Sequence, residues 1–159
     1  MLAWSRIFKQ ETSHLSLQPL DALKCLKNEL PAVIDHSEVS LYADDTVLHC
    51  FSKEPHQLES KLNADLFNVA MWLKANKLTL NLTKTKFMLI GSNRKLVNTS
   101  SLSLSIFDCK LDSVNTFKYL AIMLASDFTW SDHVEYVISK VKKCVAVSLL
   151  RFLLSFAFF

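Results

Sequence analysis

Two adjacent carboxylates, Asp44 and Asp45, lie between short apolar runs in Leu41-Tyr-Ala-Asp-Asp-Thr-Val-Leu48. Ionised side chains are rarely placed side by side without a cation to hold. Mg²⁺ takes oxygen ligands and keeps coordination positions open for substrate phosphates. Val39, Leu41, Val47 and Phe51 favour extended backbone, and the Ala-Asp-Asp core favours a tight turn. The expected shape is a β-hairpin with both carboxylates at its tip. Spacing alone leaves a second reading open, because an Asp-Asp turn is more often a solvated loop than a metal site.

The elements that must position such a tip follow it in the chain. Leu58, Leu62, Leu66, Val69 and Leu73 recur at helical spacing and predict a helix over 55–76. Strand pieces are expected at 78–81 and 85–90, joined by the turn Asn81-Leu-Thr-Lys-Thr85. A polar loop is expected over 93–100. Leu102, Leu104 and Ile106 alternate with polar residues, and Asp108-Cys-Lys110 turns the chain into a further strand at 111–114. Phe117 to Leu124 is expected as another strand. A helix begins near Trp130, with Ser131 as its N-cap and Asp132 at its positive end. Val134, Val137, Ile138, Val141, Val145 and Leu149 line one of its faces. At the other terminus, Trp4, Ile7 and Phe8 fit one helix face and Leu20, Leu23 and Leu26 another, with Pro19 between them. Trp72 and Trp130 are expected in the core.

A chain of 159 residues is long enough for one domain with a sizeable core, and a hydrophobic fraction of 50% argues against disorder. The net charge of +3 permits a phosphate-binding face but excludes a strongly basic nucleic-acid-binding tail. There is only 1 glycine, Gly91, so turns must rely on Asn, Asp and Ser. Cys25, Cys50, Cys109 and Cys144 form no Cys-x-x-Cys pair, which excludes the usual zinc pattern. They read as free thiols without disulfide partners, and with no secretory signal at Met1 the chain is expected inside the cell. The apolar run from Val145 to Phe159 is shorter than the roughly twenty residues a membrane-spanning helix needs, and it carries Arg151.

In this order, Asn28-Glu-Leu-Pro31, Tyr42-Ala-Asp-Asp45, the helix from Pro55, Lys84-Thr-Lys86 and Phe117-Lys-Tyr-Leu120 resemble the reverse transcriptase of non-LTR (LINE-type) retrotransposons. The resemblance runs from about Asn28 to about Arg151. It implies an α+β fold: a partial polymerase palm, an antiparallel sheet with packed helices, followed by a helical thumb-like segment. It divides the chain into an unassigned segment 1–27, a partial palm 28–125 and a thumb-like helix with an apolar tail 126–159. The activity implied is RNA-directed DNA polymerisation, with an RNA or DNA primer–template and dNTPs as partners and Mg²⁺ as cofactor. Asp44 and Asp45 would then be catalytic metal ligands, the second and third acids of a triad. Lys84 would act on the nucleotide phosphates, and Tyr42, Lys86 and Tyr119 would touch nucleic acid. Each of these lysines also reads as a solvated surface charge, and each tyrosine as a strand aromatic.

Three departures from the family stand out. No strand bearing the first catalytic aspartate precedes Asn28, since neither Asp21 nor Asp35 sits in such a sequence. The family's Gly/Gln-rich segment is also missing, and Ala121 stands where the family has glycine. The expectation is a truncated reverse transcriptase domain, inactive by itself. The alternatives are a non-catalytic nucleic-acid-binding or interaction remnant, or a relic that does not fold alone.

Overall fold

The structure, a computed structural model, describes residues 2–7, 28–42, 45–92 and 102–157. In chain order its elements are β1 (Leu2–Ile7), a 3₁₀ helix (Leu30–Val33), β2 (Glu38–Tyr42), β3 (Asp45–Phe51) and α1 (Pro55–Ala75). There follow β4 (Lys86–Ile90), β5 (Ser105–Ile106), β6 (Cys109–Lys110), β7 (Asp112–Ser113), β8 (Thr116–Tyr119), β9 (Ile122–Ala125) and α2 (Ser131–Ala157). The result is the expected α+β mixture, arranged as two compact units, Met1–Asn115 and Thr116–Phe159. The expected helix face at Leu20, Leu23 and Leu26 and the loop 93–100 lie outside the described residues.

In the first unit α1 supplies a larger share of the buried core than any other described element. Leu58, Leu62, Leu66, Val69 and Leu73 are all fully buried, as their spacing requires. Pro55 opens the helix in its first turn, where a missing N–H leaves no hydrogen bond unmade. At the other end Lys77 adopts a left-handed backbone (φ 55°). Its N–H donates to the Lys74 carbonyl at 3.2 Å and that of Leu78 to the Leu73 carbonyl at 2.9 Å. This is a Schellman ending built without glycine, closed by burial of Leu78 beside Leu73. The strand expected at 78–81 does not form. Leu78 and Leu80 are buried without a partner strand, and Asn81 instead organises a turn. The Asn81 carbonyl accepts from the Thr85 N–H at 3.1 Å, and its Oδ1 accepts from the Lys84 N–H at 3.2 Å.

The main sheet has five strands in the order β2-β3-β1-β4-β7. Its central strand is β1, where the sequence pattern had suggested a helix through Trp4 and Ile7. Phe8, the third residue of that pattern, lies outside the described residues. Six residues are too few for periodicity to decide, and two flanking strands decide the matter instead. β1 pairs antiparallel with β3 from Leu2↔Phe51 to Ile7↔Thr46, and with β4 from Leu2↔Ile90 to Arg6↔Lys86. β7 adds to β4 in parallel through Lys86↔Asp112 and Phe87↔Ser113, a shorter strand than the one expected at 111–114. The small β5–β6 hairpin turns through Phe107 and Asp108, both left-handed at φ 50° and 59°. Asn63 of α1 holds this region in place: its amide donates to the Ser103 carbonyl, and its Oδ1 accepts from the Ser105 N–H, each at 3.0 Å.

In the second unit β8 and β9 pair antiparallel from Thr116↔Ala125 to Tyr119↔Ile122. The single strand expected over Phe117–Leu124 is thus a hairpin, folded at Leu120 and Ala121 with φ of 45° and 70°. Two consecutive left-handed residues match the twist of a two-residue hairpin, yet neither residue type advertises the turn. Of the six left-handed non-glycine residues among the described ones, Lys77, Phe107, Asp108, Leu120, Ala121 and Phe128, only Asp108 is of the type expected to take over from glycine. The cap of α2 also differs. The Val134 N–H donates to the Trp130 carbonyl at 2.9 Å, which places Trp130 at the cap and Ser131 inside the helix. Trp130 is 59% exposed, against its expected place in the core, whereas Trp72 is buried as expected. Along α2 the stripe Val134, Val137, Ile138, Val141, Val145 and Leu149 is exposed. No helix among the described residues is long and apolar enough to cross a membrane.

One buried carboxyl ties α1 to the chain entering β2. Asp65 is fully buried on the apolar side of α1. Its Oδ1 accepts from the Asp35 N–H at 3.0 Å and the His36 N–H at 3.2 Å, and its Oδ2 accepts from the Ser37 hydroxyl. A carboxylate satisfied by several donors is tolerated in a core, whereas donors stripped of it are not. Asp65→Ala is expected to destabilise the first unit by about 3 kcal/mol in urea unfolding, because it leaves two backbone N–H groups and a hydroxyl unmatched.

Candidate functional site at the Asp-Asp hairpin

β2 and β3 pair from Glu38↔His49 to Tyr42↔Asp45, leaving Ala43 and Asp44 as the connection. Those two residues lie outside the described ones. The hairpin expected from the sequence is present, and Asp45 closes it. Leu48 and Cys50 belong to the core cluster with α1, so by strand alternation Asp45, Val47 and His49 lie on the opposite face. Asp45 is half-buried, and Tyr42 across from it is 60% exposed, so this tyrosine serves no core.

The sheet brings several of the expected residues to one end. Ile7 of β1 lies level with Thr46, and Arg6 is level with Lys86. The start of β4 is therefore at the same end as the hairpin tip, two strand spacings or roughly 10 Å from β3. Lys84 is exposed in the turn leading into β4. Lys86 is committed to an ion pair, its Nζ lying 2.7 Å from Asp112 Oδ2. The hydrogen bond and positive charge of Lys86 hold the Asp112 carboxyl below its ordinary value. Tyr42, Asp45, Lys84 and Lys86 thus share one end of one sheet. Tyr119 is on β8 in the other compact unit.

A two-ion polymerase site needs acids enough to bridge cations about 4 Å apart. The strand beside the hairpin, Leu2-Ala-Trp-Ser-Arg-Ile7, contains no carboxylate. Asp35 sits at the far end of β2 from the tip and is engaged there by the Asn68 amide at 3.3 Å. Among the described residues no group of three His, Cys, Asp or Glu side chains converges as a metal site. The described donor set does not fit a two-ion clamp.

Sequence reasoning passed over Asp65, although a carboxylate three residues after Leu62, on the apolar stripe, is a legible sign of a bonded buried charge. It also passed over the pairing of His49. His49 Nε2 lies 2.9 Å from Ser40 Oγ across the hairpin. Burial pushes this imidazole below its ordinary value, and the nearby Glu38 carboxylate partly opposes that. Burial likewise raises the Cys50 thiol, whose Sγ lies 3.7 Å from the His36 carbonyl. For His49 the unfolded chain binds the proton more readily than the folded one. Its contribution to stability is therefore intact above pH ~6.5 and lost as pH falls below that value. Urea unfolding at pH 7.5 and 5.5 is expected to show a larger acid loss for the wild type than for His49→Gln.

Residues 16–124 match the family model of the reverse transcriptase (RNA-dependent DNA polymerase). The match covers more than half of the 159 residues, begins after β1 and ends within β9. Neither a curated protein nor a solved structure matches the chain significantly. With the Asp-Asp hairpin, α1 and β4 all inside the matched span, the chain belongs to the reverse transcriptase (RNA-dependent DNA polymerase) family.

Proposed function

We propose that this chain is the C-terminal part of a reverse transcriptase palm with the start of a thumb, of non-LTR (LINE-type) retrotransposon origin, and that it does not polymerise DNA by itself. The palm portion is residues 28–125 and the thumb-like portion 126–159. The observation that carries the reading is β1: the strand that completes the sheet beside the Asp-Asp hairpin lies outside the family match and carries no acid.

In this reading Asp44 and Asp45 are the remaining metal-binding acids and hold one divalent cation, Mg²⁺, without a third acid to retain a second. Lys84, exposed at the same sheet end, neutralises charge on the phosphates of an incoming dNTP. Lys86 contributes less, because Asp112 already balances it. Tyr42 offers an exposed ring to the primer–template beside the tip. Tyr119, on the hairpin where the family grips the primer, is the second aromatic contact. At position 121 the left-handed backbone gives the family's glycine a conformational reason, which Ala121 meets with some strain.

The test is primer extension by the purified full chain on an RNA template with a DNA primer, in Mg²⁺ and in Mn²⁺. No extension is expected under either ion. Robust extension that disappears in Asp44→Asn would overturn the inactive reading.

A further inference from the structure

Within the second compact unit, the β8–β9 hairpin packs on one side of α2. His133 Nδ1 accepts from the Met123 N–H of β9 at 3.2 Å, and Lys118 Nζ of β8 lies 4.7 Å from the Tyr136 ring centre. Lys140, one turn further along, lies 5.0 Å from the same ring. The hairpin thus meets the side of α2 that carries His133, Tyr136 and Lys140, and it leaves His133 and Tyr136 half-buried. Val134, Ile138, Val141 and Val145 fall on the other side by the 3.6-residue repeat. Each of these four is between 46% and 54% exposed, so no described part of the chain covers the stripe. A continuous apolar stripe of this kind marks a face that a partner covers.

The charges along the edge of the stripe say which partner fits. Glu135 and Lys142 are both exposed and flank the same edge, two turns or roughly 10 Å apart. Neither has an opposite charge three or four residues away in its own helix: Glu135 has Ser131, Asp132, Ile138 and Ser139 there, and Lys142 has Ile138, Ser139, Val145 and Ala146. A second copy of α2 laid antiparallel, with its two-fold axis at the level of Ser139, supplies both missing partners. Glu135 of each copy then faces Lys142 of the other. The same register sets Val134 against Val145 and Ile138 against Val141, the layered spacing of a paired-helix seam. A parallel pair would put like charges at the same level and leave the unlike ones two turns apart. The edge is therefore self-complementary in one direction only, as a two-fold interface requires.

We infer that α2 is a self-association surface, on which two copies of this chain pair antiparallel through Val134, Ile138, Val141 and Val145, with Glu135 of each copy facing Lys142 of the other. The valines and the isoleucine supply the attraction, because pairing removes their exposed area from water. The two charge pairs set direction and register, since any other alignment separates them or brings like charges together.

The experiment is sedimentation equilibrium of the full chain over a concentration series at low salt. A monomer–dimer equilibrium is expected. Glu135→Lys and Lys142→Glu are each expected to weaken the dimer roughly tenfold, because either change makes both facing pairs like-charged. The double variant, with the charges exchanged, is expected to regain the original affinity. Ile138→Glu is expected to weaken the dimer at least about 100-fold by placing a carboxylate in the seam. Circular dichroism verifies that each variant keeps its helix; should Ile138→Glu lose it, the three charge variants, altered only at exposed positions, decide alone. A chain that stays monomeric up to about 100 µM would overturn the inference. So would a dimer, or a larger aggregate, that is indifferent to the single charge reversals or is not rescued by the double one.

Discussion

The sheet of the first unit is held together by one strand. In the order β2-β3-β1-β4-β7, β1 alone joins the Asp-Asp hairpin to β4 and β7. Remove its hydrogen bonds and two pieces with unpaired edges remain, each exposing backbone N–H and C=O groups that have no other partner in the sheet. On the proposed reading the same strand also bears on the chemistry. It fills the position next to Asp45's strand and brings Arg6 and Ile7, not a carboxylate, to the end where the hairpin tip lies. On the proposed reading, the strand that completes the sheet is also the one that leaves the hairpin tip short of an acid.

Against that sheet α1 works as both core and clasp. Its apolar stripe removes Leu58, Leu62, Leu66, Val69 and Leu73 from water, and its polar residues fix the loops on either side. Asp65 and Asn68 hold the turn entering β2, and Asn63 holds the segment around β5. These bonds matter for direction more than for net energy, because each mostly exchanges a water partner for a protein one. Those bonds fix the turn at 35–37, from which β2 runs toward the tip in register with β3. At that end Lys86 pairs with Asp112, and Lys84 lies in an exposed turn.

Much of this was legible in the residues where a long pattern spoke for itself. The stripe of α1 and the extended–turn–extended pattern around Asp44 and Asp45 both folded as read. The misses have physical causes. Leu2 to Ile7 is too short for periodicity to separate helix from strand, and its pairing with β3 and β4 is set by residues far along the chain, from Thr46 onward. Leu120 and Ala121 make a tight turn in a chain with a single glycine, so the usual turn residues were absent where they were most needed. Trp130 carries the bulk of a core residue but sits at a helix cap, and only its surroundings reveal that it is exposed. Asp65 was passed over, although its phase against Leu62 and Leu66 puts it on the buried stripe.

The account rests on an acid-poor site, and a count of bound cations addresses it most directly. Mn²⁺ titration of the full chain, followed by electron paramagnetic resonance, is expected to show one weakly held ion that disappears in Asp44→Asn. Two tightly held ions, both lost in that variant, would mean that a third acid reaches the tip and would contradict the central role given to β1.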